Sequence, residues 1–177
     1  MPLRLSVSCS NLVAERLIDA GRFAEAAEFA NATLGTGAEQ GQSHDLLGCA
    51  AFGAGDFATA VAELERAAAL QQRAAPVVGR LAAAYARAGR EGDARALLGE
   101  LEARGGGAPV NYATAARVYA ALGERERALA LLEQGAEQRQ RDVLDIANDP
   151  FFAALRSEPR FVEIVARMGL ASAAAAR

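Results

Sequence analysis

Four glycines recur along this chain at a constant interval of 34 residues, and this interval constrains the fold more than any other feature. They are Gly21, Gly55, Gly89 and Gly123. A stretch with helical periodicity precedes each glycine, and another follows it. A glycine inside one long helix would cost about 1 kcal/mol relative to alanine, whereas a glycine between two helices permits a tight turn. The interval therefore predicts four consecutive helix–turn–helix units.

Small and large apolar residues repeat with the same period. An alanine stands five residues after each glycine, at Ala26, Ala60, Ala94 and Ala128. The position four residues further on is Ala30, Leu64, Leu98 or Leu132. A short side chain lets two antiparallel helices approach closely, and a stack of such pairs buries the apolar faces that one pair leaves open. We expect helices at Ser10–Ala20, Ala24–Leu34, Ser43–Gly53, Ala58–Gln71, Pro76–Ala88, Glu91–Arg104, Tyr112–Leu122 and Arg125–Glu137.

We expect the units to form one domain that covers residues 1–177. Their predicted bounds are about 7–40, 41–74, 75–108 and 109–142, followed by capping helices in 143–170 and a frayed tail in 171–177. Pro76 and Pro109 fit the first turn of a helix, where the missing N–H costs nothing. The interval persists across Gly105–Gly107, which favours an ordinary loop there and leaves a hinge as the alternative.

The composition favours a globular chain. Hydrophobic residues make up 52% and charged residues 23%, so global disorder is not expected. The net charge of −3 argues against a nucleic-acid partner, which usually needs a strongly basic face. No apolar run suits a membrane span or a signal peptide, so we expect a soluble, cytoplasmic protein. All 19 basic residues are arginines, which is typical of a GC-rich, bacterial genome.

Residues suited to catalysis or metal binding are scarce. The chain has one histidine, His44, and two cysteines, Cys9 and Cys49. No CxxC or HxxxH spacing occurs, so a zinc site lacks its ligands. His44 and Cys49 lie about 140° apart around a helix, so they do not share a face. The glycine-rich loops lack the lysine and hydroxyl residues of a phosphate loop. We predict a non-catalytic protein without a metal or cofactor.

The residues around the turns resemble the tetratricopeptide repeat family over about residues 7–142. The family's Leu-Gly pair is matched by Leu47-Gly48, and its tyrosine before the turn by Tyr85 and Tyr119. Phe23 and Phe57 match the aromatic residue that follows the turn, and His44 falls where the family has a buried aromatic residue. The family's closing proline is absent from all four units. The resemblance implies an all-α, right-handed α-solenoid of four repeats that binds proteins or peptides.

The stretch "VLDIANDPFFAALRSEPRFVEIVARMGL" resembles the C-terminal end of many bacterial tetratricopeptide modules. Those modules are often attached to nucleotide cyclases, Ser/Thr kinases or winged-helix regulators. The residues themselves predict that Asp149 caps a short helix starting at Pro150, and that Ser157 caps a second helix ending at Gly169. The residues expected to cover the exposed edge of the fourth unit are Phe151, Phe152, Leu155, Phe161, Ile164, Val165 and Met168.

The resemblance also implies that the first helix of each unit lines a concave groove. The residues predicted to bind a partner there are Asn11, Glu15, Asp45, Cys49, Phe52, Arg80, Arg87 and Arg117. Such a groove grades from acidic at its N-terminal end to basic at its C-terminal end, and its arginines could hold a carboxylate or an acidic segment. The family's carboxylate clamp is incomplete, and an ordinary solvated polar face is the alternative interpretation.

We therefore expect a non-catalytic adaptor or scaffold that binds a partner protein or peptide, with an acidic segment as one option. A small secretion-type or assembly chaperone is an alternative within the same class. An enzyme with an unrecognised site is the alternative from another class. Self-association, and the choice between the groove and the convex face, stay open.

Overall fold

The computed structural model describes residues 7–34, 39–104 and 111–169, and within these ranges the chain is all-helical. The α-helices there are α1 (Val7–Asp19), α2 (Phe23–Leu34), α3 (Gln40–Ala54), α4 (Phe57–Leu70), α5 (Ala75–Arg87), α6 (Glu91–Arg104), α7 (Tyr112–Ala121), α8 (Arg125–Glu137) and α9 (Pro159–Arg167). Two short 3-10 helices, Arg141–Val143 and Pro150–Leu155, lie between α8 and α9. The eight predicted helices are confirmed, with bounds that differ by three residues at most. None of the described helices combines the length and the apolar character that crossing a membrane requires.

The four periodic glycines lie in the turns between paired helices, as predicted. Gly21, Gly55, Gly89 and Gly123 adopt φ values of 73°, 83°, 80° and 79°, which L-residues with a side chain rarely adopt. Each glycine N–H donates to a carbonyl three residues back, and the next N–H donates to a carbonyl five residues back. At Gly55 the acceptors are Phe52 O at 3.0 Å and, for the Asp56 N–H, Ala51 O at 2.9 Å. These bonds satisfy carbonyls that the helix end would otherwise leave unpaired.

Short residues at the predicted positions bring the helices together. Ala26, Ala60, Ala94 and Ala128 are all fully buried or nearly so. Each helix from α1 to α8 packs against its neighbours in sequence, and α5 also packs against α7. A Cβ on Gly79 would lie only 2.3 Å from the Thr114 Cγ2 atom, so α5 and α7 can pack this closely because Gly79 has no side chain.

Local signals set several helix starts. The Asp56 and Asn111 side chains accept hydrogen bonds from the backbone N–H groups of Thr59 and Thr114, at 3.1 and 2.9 Å. Pro76 lies in the first turn of α5, as predicted. The predicted helix start at Pro109, the loop that contains Gly105–Gly107 and the tail 171–177 lie outside the described residues.

The C-terminal segment covers the fourth unit with most of the predicted residues. Phe152, Leu155, Phe161, Ile164 and Val165 form one buried cluster with residues of α7 and α8, and Met168 packs against it half-buried. Phe151 differs, because its ring lies on the Phe52 ring of α3, with centroids 4.0 Å apart. This segment therefore reaches back to the second unit as well.

One of the two helix caps predicted in this segment is confirmed, and the other is wrong. Asp149 caps the helix that starts at Pro150, as expected, although that helix is a 3-10 helix. The predicted cap at Ser157 is wrong, since α9 starts at Pro159 and the residue before it, Glu158, makes no side-chain cap bond. Gly169 follows α9 with a φ of 69°, and its N–H donates to Ala166 O, so the predicted end of α9 is confirmed.

Candidate functional site

The first helices of the four pairs, α1, α3, α5 and α7, together carry all eight residues predicted to bind a partner. We call the surface that they form the first-helix face. A cavity of about 290 Å³, the central cavity, lies on this face and is bordered on one side by residues 145–151. Five of the eight predicted binding residues line it together: Glu15, Asp45, Cys49, Arg80 and Arg117.

One wall of the central cavity is a buried ion pair between α3 and α5. The Arg80 Nε and Nη2 atoms donate to Asp45 Oδ1 and Oδ2, at 2.9 and 2.5 Å. The Asp45 side chain is only 6% exposed. Two parallel, charge-assisted bonds fix the guanidinium plane, so Arg80 already holds a carboxylate of its own chain.

Arg117 also holds a carboxylate of its own chain, which comes from the C-terminal segment. Its Nε donates to Asp149 Oδ2 at 2.7 Å, and both side chains are nearly buried. The other carboxylate oxygen, Asp149 Oδ1, accepts from the Phe151 N–H at 2.9 Å. One carboxylate thus caps the 3-10 helix and ties it to α7.

Negative charge exceeds positive charge around the central cavity. Its carboxylates are Glu15, Asp19, Asp45, Asp145 and Asp149, and its arginines are Arg16, Arg80 and Arg117. All three arginines pair with carboxylates of the cavity, Arg16 with Asp19 at 3.0 Å. Glu15 and Asp145 have no arginine partner among the described residues, although Glu15 accepts from Gln42 Nε2 at 3.1 Å.

Burial raises the pKa of Glu15 and of Asp19 in this cavity, and neighbouring carboxylates add to the shift in each case. The predicted gradient from acidic to basic is not what the structure shows. Asp145 and Asp149, which come from the C-terminal segment, bring negative charge to the end where Arg117 lies.

His44 and Cys49, the two residues considered as candidates for catalysis, lie in different surroundings. The His44 Nδ1 atom lies 2.6 Å from Glu63 Oε2 between α3 and α4, away from the central cavity, and Arg66 Nη1 donates to the same carboxylate at 2.8 Å. Burial raises the pKa of the Cys49 thiol, which keeps it protonated and therefore a weak nucleophile. Within the described ranges, no group of three or more His, Cys, Asp or Glu side chains is arranged so that it could hold a metal ion.

The other predicted residues lie in two further places. Phe52 and Arg87 line a second cavity of about 350 Å³, the turn-side cavity, which lies at the ends of α3, α5 and α7 next to the inter-helix turns. Asn11 is only 5% exposed and lies at a shallow depression bordered by α1, α3 and α4. Its Nδ2 donates to Glu39 Oε2 at 2.8 Å.

Sequence reasoning missed the residues that the C-terminal segment contributes to these cavities. Pro150 and Phe151 line both cavities and so separate them, Asp145 and Asp149 line the central cavity, and Arg156 lines the turn-side cavity. The Asp-Pro pair predicted the start of a helix. No local pattern predicts which distant surface that helix contacts.

A scan against models of known protein families and a search of curated proteins found no match to this chain.

Proposed function

We propose that this protein is a non-catalytic adaptor of tetratricopeptide-like architecture that binds a partner protein or peptide on its first-helix face. The repeated turn geometry supports the proposed right-handed solenoid of four repeats. All four turns have a glycine at positive φ and the same pair of backbone hydrogen bonds, at an interval of 34 residues. A stack of near-identical pairs presents one helix of each pair on a continuous face.

The observation that carries the proposal is the central cavity. Buried ion pairs fix its walls in place, while the carboxylates of Glu15 and Asp145 have no arginine partner in the part of the chain that the structure describes. A rigid surface loses little conformational entropy on binding, so more of the interaction energy contributes to affinity. The excess negative charge suits a partner segment that presents hydrogen-bond donors or positive charge.

A non-catalytic role is supported by the positions of His44 and Cys49. An activated nucleophile needs a base within hydrogen-bonding distance. Among the described residues, the side-chain partner of the His44 ring is the Glu63 carboxylate rather than a hydroxyl or a thiol, and the raised pKa of the Cys49 thiol opposes formation of the thiolate.

Capture of partners from the native host, with quantification of the recovered proteins, tests the proposal. The binding variant is Glu15→Gln with Asp145→Asn, which removes the two carboxylate charges without a described arginine partner and keeps the side-chain shapes. The control is Glu28→Gln with Glu137→Gln, which removes two exposed charges from α2 and α8. Arg80 and Arg117 are unsuitable positions, because losing a buried partner destabilises the fold.

We expect the wild type and the control to recover the same partner, and the binding variant to recover much less of it. Circular dichroism should show the same helix content for all three proteins. Equal recovery by all three would contradict the assignment of the first-helix face.

A further inference from the structure

The turn-side cavity differs from the central cavity in both its walls and its charge. Its apolar lining includes four phenylalanine rings, those of Phe23, Phe52, Phe57 and Phe151, together with Pro150 and several alanines. The Phe52 ring stacks on Phe151 and contacts Phe57 edge-on, with ring centroids 4.0 and 5.4 Å apart. Its volume of about 350 Å³ is at the lower end of the range of about 300–1,000 Å³ for ligand sites.

The charged side chains at this cavity are two arginines, Arg87 and Arg156. Most arginines in the described ranges pair with a carboxylate, as Arg80 and Arg117 do. Neither Arg87 nor Arg156 lies within ion-pair distance of a carboxylate of the described residues. Both are exposed to solvent.

Contacts to uncharged groups position both guanidinium groups at the cavity. The Arg87 Cζ atom lies 4.9 Å from the centroid of the Phe57 ring, a stacking contact that still leaves N–H donors at the edge of the group. Arg156 Nη2 donates to the backbone oxygens of Asn148 and Asp149, at 2.8 and 3.2 Å. An arginine has five N–H donors, so both residues keep donors for a ligand.

We propose that the turn-side cavity binds a segment of the partner protein in which a large apolar side chain stands beside a carboxylate. The proposal rests on the adaptor function and names the chemistry of the partner. The apolar side chain packs against the phenylalanine rings, and the carboxylate accepts charge-assisted bonds from the Arg87 and Arg156 guanidinium groups. A positively charged ligand would be repelled by both arginines. The size of the cavity suits one large side chain with its neighbouring backbone.

Binding of labelled peptides, measured by fluorescence polarisation at low salt, tests this proposal. The probe is a fluorescein-labelled octapeptide with a central phenylalanine–glutamate pair in a glycine–serine background. Three matched peptides replace that pair by phenylalanine–glutamine, phenylalanine–lysine or alanine–glutamate. We expect the phenylalanine–glutamate peptide to bind, and each replacement to weaken binding about tenfold or more.

A single arginine substitution identifies the site. Arg87→Gln should weaken binding of the phenylalanine–glutamate peptide about tenfold and leave the weak binding of the phenylalanine–glutamine peptide unchanged. The control is Arg167→Gln, which removes an exposed arginine of α9 outside the cavity. The Arg87 side chain makes no hydrogen bond to another described residue, so its substitution should leave the melting temperature nearly unchanged.

The outcomes separate this proposal from the adaptor function. Equal binding of the glutamate and glutamine peptides, or no effect of Arg87→Gln, overturns the proposed ligand. The adaptor function survives that result if the Glu15→Gln and Asp145→Asn variant still loses the captured partner. Loss of the phenylalanine–glutamate peptide with Arg87→Gln, but not with Arg167→Gln, supports the proposal.

Discussion

Replacing Phe151 by alanine tests whether the C-terminal segment is held on the second unit. The Phe151 side chain is only 4% exposed, and its ring stacks on Phe52. It belongs to the buried cluster of α3, α4 and α5, whereas its neighbour Phe152 belongs to the cluster of α7 and α8. The substitution therefore removes a contact between parts of the chain far apart in sequence.

The expected cost follows from this burial. Truncation of a buried phenylalanine to alanine lowers the free energy of unfolding by about 3–5 kcal/mol. Near the melting temperature, each 1 kcal/mol lowers Tm by about 2–4 °C for a chain of this size, so we expect a decrease of about 6–20 °C. The stacking of Phe151 on Phe52 should account for about 0.5–1.5 kcal/mol of the loss.

Guanidinium unfolding followed by far-UV circular dichroism measures the free energy of unfolding, and thermal unfolding followed by the same signal measures Tm. A double-mutant cycle with Phe52→Ala isolates the coupling between the two rings, because it subtracts the cost of each truncation alone. Val162→Ala is the control, since Val162 is 54% exposed in α9 and its truncation should change stability by about 0.5 kcal/mol or less.

Comparison with Phe161→Ala makes the test decisive. Phe161 is 3% exposed and packs only in the cluster of the fourth unit. If Phe161→Ala has its full cost while Phe151→Ala costs less than about 1 kcal/mol, the segment covers the fourth unit but is not held on α3. That result would refute the position of the 3-10 helix between the two cavities.

Three further substitutions test the turns, the buried ion pair and the titration of the central cavity. Gly89→Val should lower the free energy of unfolding by about 1–3 kcal/mol, because a β-branched residue is strained at a φ of 80°. The control Gly99→Ala, within α6, should instead raise the free energy of unfolding by up to about 1 kcal/mol. Denaturant unfolding measures both variants. Asp45→Asn should lower the free energy of unfolding by about 3–5 kcal/mol, because the Arg80 guanidinium is left buried without its charge partner. Adding Arg80→Gln should recover part of that loss in the same assay. Glu15→Gln should raise Tm at neutral pH, because burial raises the pKa of Glu15 in the folded state above its ordinary value of 4.5 and ionisation therefore opposes folding. That gain should disappear as the pH falls below this ordinary value, and melting curves that show the same gain at acidic and neutral pH would contradict it.

The prediction from sequence succeeded for features that depend on near neighbours. A turn that needs positive φ selects glycine, and helices of similar length on each side set the interval of 34 residues. Gly55 and Ala60 show this directly, since one adopts the predicted turn conformation and the other is fully buried. The helix cap at Asp149 was predictable for the same reason, because it involves atoms only two residues apart.

The tertiary structure alone decided how the C-terminal segment shapes the site. The arginine positions on α5 and α7 followed from helical periodicity. The contacts of the C-terminal segment did not follow from it. The positions of Asp149 beside Arg117 and of Phe151 on Phe52 depend on how four helix pairs stack. Small rotations between pairs accumulate along such a stack, so the distance between remote residues is not encoded in any local pattern. The sequence by itself therefore determined the turns, the helices and the positions of residues along the first helices, and the packing of the whole chain determined which of those side chains are buried or paired.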